Sequence, residues 1–242
     1  MLATKTPKTE KIMKSRQAGF TLVEIAIVLV IIGLLLGGVL KGQELINSAK
    51  VKNMATDFRN IPLFIYGYQD KYKALPGDHN AVTTAITGST KATTPITSGG
   101  AACVSSLCQG NGVIDGTWNT TTATDETALF WQHVRLAGLA AGPTSTGDAQ
   151  YYPVNADGGR MGIESGSAAT GGAYISGMTP TYLMCSTGIL GKYAKQLDTT
   201  LDDGNTATGS MRAVTATHTR GGAAVATTAV DDSSSFIVCM GL

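Results

Sequence analysis

At 242 residues the chain can hold one domain or two small ones, and its formal net charge is only +1. Lys5, Lys8, Lys11, Lys14 and Arg16 against Glu10 leave the first 19 residues at +4 and the remainder at −3, so nothing downstream reads as a nucleic-acid surface. Charged residues are only 14% of the chain, which points to a small-residue body, rich in strands or loops, in an extracytoplasmic setting.

The first element comes directly after the basic stretch. From Phe20 to Leu40 there are 21 residues with one charge, Glu24, and Lys41 comes next. As a helix this run is about 31 Å long, sufficient to span a bilayer. The basic residues before it place the N-terminus in the cytoplasm. The run is too long for a secretory signal, and no A-x-A site follows it. Glu24 is the exception to an ordinary anchor, because an acid near the centre of a span costs about 2.5–3.5 kcal/mol, and less toward the interface. No Lys, Arg or His lies within reach on the same helix, so its partner is expected from another chain or from processing. A cut between Gly19 and Phe20 would create an α-amino group four residues from Glu24. In a helical stack of copies, Glu24 of one subunit would neutralise the amine of its neighbour.

The stretch GFTLVE (residues 19–24), followed by this apolar run, resembles the processing site of type IV prepilins and of the pseudopilins of type II secretion. The resemblance implies that a prepilin peptidase cleaves after Gly19 and N-methylates Phe20. It also implies that Thr21 and Glu24 serve in subunit registration. The expected fold is pilin-like α+β, with a long N-terminal helix, half of it transmembrane, packed on a small antiparallel β-sheet head with long loops. The corresponding division is a leader at 1–19, a helix at 20–72 with 20–40 in the membrane, and a head at 73–242. The implied partners are the peptidase, the pilus assembly machinery, the inner membrane before assembly, and further copies of the chain in a helical filament. Such filaments serve adhesion, motility or DNA uptake at the cell surface. The alternatives are a pseudopilin or a minor, priming pilin. Met13 would give the leader MKSRQAG, the short kind of type IVa prepilins, with the same cut site.

Past Lys41, apolar residues at Leu45, Ala49, Met54, Phe58, Ile61 and Ile65 keep near-helical spacing and predict a helix to about Tyr72. Gly33, Gly37, Gly38 and Gly42 lie inside the pattern, each costing up to ~1 kcal/mol against Ala. They suit either close helix packing or a section that melts in an assembled fibre. Pro62 is expected to kink the helix. Pro76-Gly77 then marks a turn, and Asp78 is expected to cap the next segment.

Residues 83–124 are rich in Thr, Ser and Gly and predict loops, among them GNGVIDG with Asn111 and Asp115 as oxygen donors. The stretch TDETALFWQHVRLAGLAAG predicts a helix with Thr124 or Asp125 as N-cap and Gly138 or Gly142 as stop. His133 on it reads as a structural histidine. From 148 onward AYISG, TYLMC, MRAVTA and SSFIVCM predict short antiparallel strands. Between the second and third of these, a short helix and an acidic DDG turn resemble the C-terminal part of pilin-like proteins.

Cys103, Cys108, Cys185 and Cys239 permit three pairings. The first two would close a tight loop, and the second two would tie a distant segment to the end of the chain. Without CxxC spacing or a nearby histidine, disulfides fit better than zinc. Asp198, Asp202, Asp203 and Asn205 gather acidic oxygens within eight residues. Calcium takes six to eight oxygen ligands and would suit them, while an Asp-Gly turn explains the same residues without metal. Major pseudopilins carry calcium in a comparable loop, so the resemblance favours the ion. Asn119-Thr120-Thr121 is a glycosylation sequon. His79, His133 and His218 have no GxSxG or HExxH context, and the chain is expected to be structural rather than an enzyme.

Overall fold

The computed structural model describes residues 19–93, 110–166 and 172–242. The Cys103/Cys108 pair and most of the leader lie outside these. The element order is α1 (Leu22–Tyr72), α2 (Val82–Ala85), α3 (Glu126–Leu136), β1 (Met161–Ser165), β2 (Tyr182–Leu190), α4 (Gly191–Leu201), β3 (Met211–Thr215) and β4 (Ser235–Gly241). The chain divides into two compact units, Met1–Leu45 and Ile46–Leu242.

In the first unit every described residue from Gly19 to Lys41 is exposed, so α1 begins as an apolar helix without protein cover. It is long and apolar enough to cross a membrane. It runs without a break through Gly33, Gly37, Gly38 and Gly42, where an added Cβ would meet nothing within 4 Å. Packing within the chain therefore does not require these glycines.

In the second unit α1 buries Val51, Met54, Ala55, Phe58, Ile61, Ile65 and Tyr68, a single stripe at steps of three and four. Each large apolar side chain so buried stabilises the fold by about 1.5–3 kcal/mol. The helix continues ten residues past Pro62. It stops where Lys73 enters the left-handed region at φ 54°. Gly77 follows at φ 95°, and a Cβ there would lie 2.5 Å from the carbonyl oxygen of Glu126, so the Pro76-Gly77 turn presses directly on α3.

The sheet has the order β1-β2-β4-β3 and is antiparallel throughout. Period-two alternation assigns its faces. Met161, Ile163, Met184, Ala213 and Val238 join α1, α3 and α4 in the main core. Leu183, Cys185, Val214, Ile237 and Cys239 form a second cluster with Trp118, Tyr174 and Ile175 from the loops.

Two sequence expectations change here, and the expected Cys185–Cys239 bond forms. The segment AYISG makes only an isolated bridge, Ile175 to Gly222, and β1 over MGIES is the additional strand. Glycine is required at its second position, since a Cβ on Gly162 would lie 1.9 Å from the Trp118 carbonyl oxygen. Asp78 caps no helix. Its carboxylate instead accepts the backbone N–H groups of Gly110, Asn111 and Gly112. Cys185 and Cys239 face each other across β2 and β4, bonded with Cα atoms 4.0 Å apart, so the bridge lies in the sheet itself.

Candidate functional site

The GFTLVE segment becomes the first turn of α1. Glu24 Oε2 accepts the Thr21 backbone N–H at 2.8 Å and the Thr21 hydroxyl at 2.7 Å, while the Glu24 N–H donates to Thr21 Oγ1 at 3.2 Å. This reciprocal pairing is a capping box, in which two N-terminal amides that lack helical partners are satisfied by side chains. The T-x-x-E spacing encodes it, and a search for opposite charges alone overlooks it. Thr21 and Glu24 thus meet within the chain, and Glu24 also lies where the positive end of the helix dipole favours an anion. Thr21 is an uncharged partner, and no Lys, Arg or His lies between Phe20 and Leu40. Phe20 is 83% exposed, immediately before the capped turn.

Residues 14–40 match the family model for the prokaryotic N-terminal methylation motif. The chain carries the type IV pilin-type cleavage and methylation signal. No curated protein and no solved structure gives a significant match. The methylation motif and the apolar half of α1 together fit anchoring in the inner membrane before assembly. The motif marks a class of structural subunits that are generally not enzymes. With its long helix and four-stranded sheet the chain is α+β.

The histidines are engaged in ways that suit such a structural role. His133 is fully buried on α3, with Nδ1 accepting the Gly77 N–H at 2.9 Å and Nε2 2.8 Å from the Thr90 carbonyl oxygen. Burial lowers its pKa to about 4, so it stays neutral. His79 Nδ1 lies 2.8 Å from the Tyr68 hydroxyl, and His218 Nε2 lies 2.9 Å from the Tyr174 carbonyl oxygen. In the sequon Asn119 is exposed, whereas the Thr120 hydroxyl is buried against Asp125.

A second site lies past α4. This helix presents Tyr193, Ala194, Leu197 and Asp198 on its buried side, and the same register carries the Asp198 carboxylate inward at 1% exposure. Neither Asp198 oxygen takes a hydrogen bond of good geometry, although the Gly204 and Asn205 N–H groups lie near enough to favour its charged form. One carboxylate oxygen each from Asp198, Asp202 and Asp203 lie within 4.8 Å of one another. Burial, with Asp203 and Asp202 adding to it, pushes the Asp198 carboxyl up to about 6. Asp202 Oδ2 accepts the Met211 N–H at 2.8 Å, and Asp203 accepts from the Asn205 N–H and the Thr208 hydroxyl. Asn205 turns elsewhere, with Oδ1 receiving the Ala207 N–H. The other expected oxygen pair is tied up locally: the Asn111 amide donates to Asp115 at 3.0 Å and its oxygen accepts the Val113 N–H.

The aspartate donors fit calcium. Oxygens on opposite sides of a calcium ion bound at 2.3–2.6 Å are about 5 Å apart, close to the span of these three aspartate oxygens, and a cation would satisfy a buried carboxylate whose N–H donors are poorly aligned.

Proposed function

We propose that the chain is the precursor of a type IV pilin-like filament subunit. A prepilin peptidase removes the leader after Gly19 and methylates Phe20, and α1 then passes from the membrane into the core of a helical assembly. The observation that carries this reading is the continuity of the methylation motif at 14–40 with a helix exposed and apolar on all sides. That surface needs lipid before assembly and neighbouring α1 helices afterwards. The charge on Glu24 is matched by the new α-amino group of a neighbour, and the capping box holds the carboxylate at the end of the helix for that contact. The test is chemical: the processed chain must start with N-methylated Phe20, and a chain that remains uncut sinks the reading.

Asp198, Asp202 and Asp203 hold a calcium ion that closes the loop between α4 and β3. Calcium at a hundredfold excess over its Kd would stabilise the head by about 2.7 kcal/mol. A chelator is therefore expected to lower Tm by roughly 5–10 °C in the native protein and by far less in Asp198→Ala. Equal melting with calcium and with chelator would mean that these aspartates hold no metal.

A further inference from the structure

Three buried carboxyl groups meet in the head where the turn after α1, the loop at 110–116 and the start of α3 come together. Asp78, Asp115 and Glu126 are exposed by 3%, 2% and 0%. Glu126 Oε2 accepts the Asp115 N–H at 2.8 Å, and Oε1 has no donor partner. The turn that carries Asp78 packs on Glu126, where a Cβ on Gly77 would lie 3.5 Å from Glu126 Cβ. The Asp78 carboxylate, which helps to raise the Glu126 pKa, already takes three backbone N–H groups from the loop.

Among the described residues, no basic side chain is bonded to these three carboxyl groups. His133 accepts the Gly77 N–H on Nδ1 and is neutral, and His79 is bonded to Tyr68. Lys73, at the rim of the adjoining cavity, pairs with Asp70. Tyr72 from α1 and Tyr182 from β2 bring phenols to the same cavity, and Asp125 at the start of α3 faces the Thr120 hydroxyl. Among the described residues, only the oxygens of Asp198, Asp202 and Asp203 converge within 4.8 Å as a metal would require. Two buried carboxyl groups this close, with no basic partner among the described residues, do not both stay ionised.

We propose that Glu126 is held as a neutral carboxylic acid whose O–H donates to Asp78, a joint that clamps the 110–116 loop to the turn at 76–79 and to α3. One proton satisfies the orphan oxygen and removes the repulsion. Burial, reinforced by Asp78 and Asp115, raises the Glu126 carboxyl to about 9. The pKa in the folded state lies above that of the unfolded chain. The stabilisation is therefore complete below the unfolded value near 4.5 and is lost as pH rises through about 9. The joint lies wholly in the head and does not depend on filament assembly.

The test uses the full chain in detergent. At pH 7 the wild type is expected to show the infrared carbonyl band of a protonated carboxyl group, and E126Q to lack it. The neutral amide of E126Q donates to Asp78 and accepts from Asp115, so the variant folds. The folded-to-unfolded ratio of the wild type then falls, relative to E126Q, by up to about tenfold per pH unit between pH 5 and 9. A wild type without the band at pH 7 overturns the proposal whether or not E126Q folds. Parallel pH slopes for the two proteins, or a difference between them that depends on calcium, overturn it as well.

Discussion

Glu24→Ala is expected to lower filament yield at least tenfold while the chain still enters the membrane. The two effects separate because the charge acts in opposite directions in the two states. In the bilayer, removing an acid makes insertion easier by up to about 2.5–3.5 kcal/mol, and less near the end of the span. In an assembled core, two opposite charges about 4 Å apart attract by about 4 kcal/mol at an effective dielectric of 20, and about 1.4 kcal/mol already gives a factor of ten. Loss of the capping box adds roughly 1 kcal/mol. Glu24→Gln distinguishes the contributions, since an amide can still accept from Thr21 but carries no charge. If the charge governs assembly, both variants fail alike when sheared fibres are counted by electron microscopy. If the cap governs it, Glu24→Gln assembles nearly as well as the native chain.

The second large effect concerns the head. Replacing Cys185 and Cys239 together by serine is expected to destabilise it by about 4 kcal/mol, the chain-entropy value for a bridge closing 54 residues. For a unit of this size that corresponds to a fall in Tm of roughly 8–16 °C. The bridged loop contains α4, the acidic turn and β3, so the unfolded chain gains freedom over much of the sheet. Calorimetry at fixed calcium reads the shift. A fall of less than about 2 °C would mean that strand pairing between β2 and β4 holds this part of the head without the bond.

How much of the fold was legible in the sequence depends on how local each cause is. The end of α1 at Tyr72 was readable because the apolar spacing and the Pro76-Gly77 turn act within a few residues. Strands β2, β3 and β4 announced themselves through alternating apolar residues between glycines and aspartates. By contrast β1 hid, since Gly162 and Glu164 replace apolar residues on its outer face. Trp118 presses on the first, and Arg220 pairs with the second at 2.7 Å. The Asp78 clamp was invisible because its partners lie 32 to 34 residues away. At the acidic site the residues were legible as DTTLDDGN, yet what singles out Asp198 is the register of α4, which turns one of the three carboxylates inward. Glu24 was half legible. Its charge and the missing basic partner stood in the sequence, as did the capping spacing that supplies Thr21.

On the proposed function, α1 is a temporary membrane anchor that cleavage converts into an assembly element. Mass spectrometry of the chain recovered from membranes alongside a prepilin peptidase tests it most directly. The predicted result is an N-terminal peptide that begins with N-methylphenylalanine at residue 20. An N-terminus still carrying residues before Phe20, with the amine unmethylated, would contradict it.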